Sequence, residues 1–143
     1  MEQKIDAPSE KEQAWIEEQL QNATEFVSAF SPEDSGEPLT LGALDRAFAR
    51  WMATEATDNA AEANRIINSV GIAFGRHLVE GLGLRWVIAT DQHGSDLAVF
   101  GLPGTGDVLV YPANFVAKRW ERRETNFLEG AFGRIERQLD SFR

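Results

Sequence analysis

The sequence predicts an α+β fold: three N-terminal helices, a three-stranded antiparallel meander, then two C-terminal helices packed on the sheet. Three observations predict it. Apolar residues recur at helical spacing as far as Leu82. Short β-branched and aromatic runs then alternate between Leu84 and Tyr111. Helical spacing returns after Pro112. Runs of helices segregated from a run of strands give an α+β arrangement, with helices covering one face of a small sheet. At 143 residues the chain fits one domain, here read as residues 9–143 behind a flexible tail at 1–8.

Each element has its local signal. Ser9-Glu10-Lys11-Glu12 is a capping box, and a helix follows to Phe30 with Ile16, Leu20, Ala23, Val27 and Phe30 on one stripe and Trp15 beside them. Ser31 to Pro38 holds two prolines and a glycine and reads as a loop. Thr40 caps a second helix carrying Leu41, Leu44, Phe48, Trp51 and Met52. Thr57-Asp58-Asn59 offers caps for a third, whose stripe runs from Ala63 through Ile66, Ile67, Val70, Phe74 and His77 to Leu78, with Gly83 placed for a left-handed end. Being the most apolar, this helix is expected at the centre.

Leu84–Thr90, Asp96–Gly101 and Asp107–Tyr111 read as the strands. Asp91 and Gly94 hold the first and fourth places of a type I turn. Gly101 to Gly106 makes the second turn; a phosphate loop would need a helix after it and a Lys-Ser/Thr end, which it lacks. Pro112 suits the first position of a fourth helix. Thr125 or Asn126 is expected to cap a fifth, with Phe127, Leu128, Ala131, Phe132, Ile135, Leu139 and Phe142 on its stripe. Gly71 and Gly75, four apart, are read as letting a neighbouring helix or strand approach closely.

Composition narrows the function classes. There are no cysteines, which removes disulfides, thiolate metal sites and thiol nucleophiles together and fits a reducing compartment. No apolar N-terminal run reads as a signal peptide, and no stretch reaches the ~18 apolar residues of a membrane span. A cytoplasmic location is expected. The net charge of −9 disfavours general nucleic-acid binding, which rests on cations neutralising phosphates. That charge is uneven: residues 1–40 hold ten acidic and two basic residues, while 118–143 hold five and seven.

The runs Gly83-Leu84-Arg85-Trp86-Val87-Ile88-Ala89-Thr90-Asp91, Asp96-Leu97-Ala98 and Tyr111-Pro112-Ala113-Asn114-Phe115-Val116-Ala117-Lys118-Arg119, with Gly71-Ile72-Ala73-Phe74-Gly75 before them, resemble a bacterial domain-of-unknown-function family, number 3806. The resemblance covers Ala63 to Ile135. It implies a small bacterial cytosolic α+β domain and carries over no catalytic or ligand-binding residue.

Several residues are candidates on chemical grounds. Trp86, Asp91, Asp96, Asn114, Lys118 and Arg119 would line a ligand or anion site between the meander and the C-terminal helices. Asp91, His93 and Asp96 surround one turn and include metal-ligating types, although turn chemistry is the preferred explanation, with Asp91 bonding its own loop and His93 solvated. Lys118, Arg119, Arg122 and Arg123 share one broad helix side and could together face an anion, or Lys118 could pair with Asp96 to tie helix to hairpin. His77 reads as a core histidine with a satisfied hydrogen bond. No catalytic set and no cofactor is assigned. The leading expectation is a non-enzymatic protein-binding or regulatory module, with another protein as partner and a homodimer also compatible. The alternatives are a small-ligand or anion-binding domain or enzyme using the site above, and a weak nucleic-acid binder.

Overall fold

The structure, a computed structural model, describes residues 4–35, 39–54, 59–102 and 108–142. The turn expected at Gly101–Gly106 lies mostly outside the described residues, as do Thr57 and Asp58. The chain opens with a strand, β1 (Lys4–Asp6), followed by α1 (Glu10–Phe30), a 3-10 turn (Pro32–Asp34), α2 (Leu41–Met52) and α3 (Ala60–Leu82). Strands β2 (Arg85–Asp91), β3 (Gly94–Gly101) and β4 (Val108–Val110) come next, then α4 (Pro112–Glu121) and α5 (Leu128–Asp140).

Two features of the expected fold are corrected. The sheet has four antiparallel strands in the order β1-β2-β3-β4, rather than three. Lys4–Asp6, expected as tail, pairs with β2 with Ile5 opposite Ala89 and Asp6 opposite Ile88. Three residues with one apolar side chain carry no readable alternation; their conformation is set by the open edge of β2. The C-terminal helices, expected on the sheet, pack on other helices: α4 on α3, and α5 on α2 with a lesser contact to α3.

Local chemistry accounts for the helix ends. Glu12 N–H donates to Ser9 Oγ (3.2 Å) while Ser9 N–H donates to Glu12 Oε1 (2.7 Å), so the capping box forms as written. Thr40 caps α2, Asn59 caps α3, and Gly83 ends α3 at φ 71°. Twelve of the 23 residues of α3 are buried, and α1, α2, α4, α5 and β3 all touch it, so α3 is the central element.

Gly71 and Gly75 make that position workable. A Cβ on Gly71 would stand 2.6 Å from Ala113 Cα, the start of α4, and one on Gly75 would overlap the Trp86 ring of β2. Phe115 then stacks on Phe74 with centroids 5.3 Å apart. The helix-facing side of the sheet carries Trp86, Leu97 and Val99 into the main core. The opposite face gathers Val87, Ala89, Ala98 and Phe100, bordered by Ile5, Leu109 and Tyr111.

The start of α5 departs from expectation. Neither Thr125 nor Asn126 caps it. Phe127 is the N-cap and offers no side-chain bond. The buried carboxylate of Asp45, on α2, accepts from Leu128 N–H (3.0 Å) and Glu129 N–H (3.4 Å) instead. Burial pushes the Asp45 carboxyl above its ordinary pKa, against the pull of those backbone donors. Phe127 packs edge-on against Phe48 of α2 and Phe115 of α4.

A second bond network ties α2 to the 3-10 turn. Arg46 makes two bonds of 2.8 Å to Asp34, and Arg50 binds both carboxylate oxygens of Glu33 and the Phe30 carbonyl. The buried Ser31 hydroxyl donates within the same network to Asp34. These charge-assisted, bidentate bonds favour the ionised carboxylates: Glu33 is held at about 2, mainly by Arg50, and Asp34 at about 2, mainly by Arg46.

Three outcomes follow from this packing. Gly71→Ala gains up to ~1 kcal/mol of helix propensity but forces two backbones apart, at about 1–3 kcal/mol; net destabilisation in urea titration is expected, and a stabilised variant would contradict the close approach. Asp45→Ala leaves the buried Leu128 N–H and the half-buried Glu129 N–H without their acceptor and is expected to cost about 1–3 kcal/mol by the same measurement, with Asp45→Asn milder because an acceptor remains. Glu33 and Asp34 have folded pKa values below their ordinary 4.5 and 3.8, so their contribution is present above those ordinary values and disappears as the pH falls toward ~2. The melting-temperature gap between the wild-type chain and Arg46→Gln/Arg50→Gln should therefore be widest near neutrality and close in acid; a gap independent of pH would refute the assignment.

Candidate functional site

The six residues expected to line one site are distributed over different surfaces. Asp91 ends β2 opposite Gly94, and its Oδ1 accepts from His93 N–H at 2.8 Å. His93 is exposed at the tip, and Gly94 adopts φ 123°. Asp91 is thus held as a turn former. Asp96 is exposed, and its Oδ1 accepts from the Leu97 N–H next to it (3.0 Å). Among the described residues no three His, Asp or Glu side chains converge as metal ligands.

Helix α4 begins beyond Val110, which pairs with Val99, five residues along β3 from Gly94. At ~3.3 Å per residue this sets the start of α4 roughly 16 Å from the hairpin tip. Asn114 and Lys118 are exposed on α4, and Lys118 makes no ion pair with Asp96. The basic residues do not form one face. Arg119 lies over the Phe115 ring at 3.9 Å and 3.7 Å from Glu124. Arg122 caps α4, and Arg123, at φ 57°, lies past the helix end, where its N–H and that of Glu124 bond back to Trp120 and Arg119 carbonyls. Trp86 is half-buried under α1 and α3 rather than facing α4 alone.

His77 is half-buried, and its Nε2 lies 2.7 Å from the Leu39 carbonyl, so it links α3 to the residues leading into α2. The carboxylates with displaced pKa values, Glu33, Asp34 and Asp45, are all engaged in the structural bonds described above.

A different surface has the features of a recognition site, and α1 builds it. Strand β1 fixes the chain on the edge of β2, and only Ala7, Pro8 and Ser9 separate it from the first turn of α1. The capping box sets the direction of that turn, and α1 lies over the helix-facing side of the sheet, leaving a trough on one flank. The trough, about 340 Å³, is bounded by Lys11, Glu12 and Trp15 of α1 and by Ile88, Ser95, Asp96 and Leu97 of the β2–β3 hairpin. Ile88 and Leu97 are cross-strand partners and form its apolar floor. Trp15 is 36% exposed, unlike the fully buried Trp51. The sequence placed Trp15 beside the apolar stripe of α1 but gave no sign of its role.

On the other flank of α1 a shallower cleft of about 500 Å³ runs between α1, α3 and Trp86. Arg76 and Glu80 of α3 pair along one wall of it at 3.0 Å, and Glu17 of α1 borders the other. No helix among the described residues is long and apolar enough to cross a membrane.

In comparison with protein families, the family model described as "Domain of unknown function (DUF3806)" matches residues 47–132. The chain belongs to that family, and the resemblance seen in the sequence is confirmed. The matched segment contains the second half of α2, all of α3 and the β2–β3–β4 meander, α4 and the start of α5. It contributes the floor of the Trp15 trough, whereas α1 lies outside it. No curated protein and no solved structure matches the chain.

Proposed function

We propose that this member of the family is a non-enzymatic cytoplasmic module that recognises another protein through the surface around Trp15. The carrying observation is the conjunction of a 36% exposed tryptophan with an apolar trough whose floor is Ile88 and Leu97. Protein interfaces concentrate their energy in aromatic side chains beside apolar pockets, within a polar rim that excludes water. Trp15 and the trough have that anatomy, with Lys11, Glu12 and Ser95 at the border. The sheet and α3 hold the trough floor rigid, so little ordering entropy would be spent on that side of a complex.

A small-ligand site between the meander and the C-terminal helices has less support. Asn114 and Lys118 stand exposed on a helix that packs on α3, and Asp91 is committed to its own turn.

The test is site-specific photo-crosslinking in cells of the native host, with benzoylphenylalanine at position 15 and, as control, at the exposed position 122. A discrete crosslinked species from position 15 alone is expected. The same pattern from both positions, or uncrosslinked chain only, would reject the Trp15 surface as the binding face.

A further inference from the structure

We propose that the segment received by this trough is basic: a lysine- or arginine-rich stretch of another protein that inserts one bulky apolar side chain against Trp15, Ile88 and Leu97. This rests on the recognition reading above and specifies the chemistry of its partner. The trough, at about 340 Å³, has room for one or two side chains, so the occupant is a segment with an anchor residue.

The charge around the trough selects the rest of the segment. Between residues 4 and 25 the chain carries six acidic residues and two lysines. Three of the acids are occupied: Glu12 by the capping box, Asp6 by Lys4 at 3.7 Å and Glu25 by Arg65 at 3.8 Å. Glu10, Glu17 and Glu18 are exposed and take part in no ion pair among the described residues. Glu18, one turn after Trp15, falls on its side of α1, and the exposed Asp96, also without an ion pair among the described residues, lines the trough itself, whereas Glu10 and Glu17 face the other flank, where Glu17 borders the wider cleft. Lys11 is the only cation in the trough lining. Carboxylates crowded on one face repel one another, and a cationic partner relieves that repulsion while it is steered to the site. A second copy of the chain, with its own net charge of −9, would meet like charge over most of its surface. Nucleic acid and anionic membrane would meet it everywhere on this face.

The experiment is selection from a phage-displayed library of random twelve-residue peptides on the full chain, with counter-selection on Trp15→Ala. Peptides that require Trp15 are expected to carry an excess of Lys and Arg around a Trp, Phe or Leu. A synthetic peptide from that pool should bind Trp15→Ala about thirtyfold more weakly. It should bind Glu18→Lys/Asp96→Lys about tenfold more weakly at low salt, a difference that shrinks as salt screens the rim. Both substitutions sit on exposed positions, and unchanged melting temperatures verify that the fold persists. Neutral or acidic Trp15-dependent peptides, or equal affinity for the double-lysine variant, would overturn the basic partner while leaving Trp15 as a docking site. Recovery of no Trp15-dependent peptide, or Trp15-dependent self-association in place of peptide binding, would overturn the proposal together with the recognition surface in the first case and assign the surface to a second copy in the other.

Discussion

The close approach to α3 at Gly71 and Gly75 is the constraint on which the other contacts depend. Two glycines one helical turn apart bring the Pro112–Ala113 backbone and the Trp86 ring onto the same stretch of α3. That places α4 beside α3, which in turn sets Phe115 on Phe74 and delivers Phe127 to Phe48. It also seats β2 so that its Trp86 and Ile88 face the helices. Protein interiors are close-packed and respond to shifts of a methyl group, so a side chain at either glycine would disturb sheet and C-terminal helices together.

Around this centre, polar side chains join distant parts of the chain. Asp45 satisfies the start of α5 from another helix, replacing a local cap, so folding of α5 is coupled to the prior placement of α2. Arg46 and Arg50 on the same helix hold the turn after α1 through Asp34 and Glu33. Helix α2 therefore bridges the first and last helices, although it makes a smaller share of the core than α3. The carboxylates with the most displaced pKa values are these structural ones, and displaced pKa values here mark architecture rather than catalysis.

The recognition surface has a different origin. Its floor belongs to the hairpin inside the family-matched segment, and its wall belongs to α1 outside it. Strand β1 makes the combination possible by anchoring the chain at the sheet edge immediately before α1 begins. Glu18 and Asp96 then lie beside an exposed tryptophan, which gives the face both an apolar anchor point and a sign of charge.

Local pattern in the sequence determined all five helices, the strands β2 to β4, the capping box at Ser9, the left-handed end at Gly83 and the Asp91–Gly94 turn, because each depends on neighbours a few residues away. It also determined the family, through the short runs from Gly71 to Arg119. Tertiary structure alone decided the elements whose partners lie far along the chain. Lys4–Asp6 becomes a strand because β2 offers an unpaired edge, and α5 is capped by a carboxylate 83 residues earlier. The arrangement around Asp91, Asp96, Lys118 and Arg119 was hidden for the same reason: nearness in sequence did not reveal that α4 packs on α3, that Asp91 bonds within its own turn and that Lys118 makes no ion pair with Asp96. The Trp15 trough was likewise invisible, since a helix position and two facing strand positions become one surface only when the chain is folded.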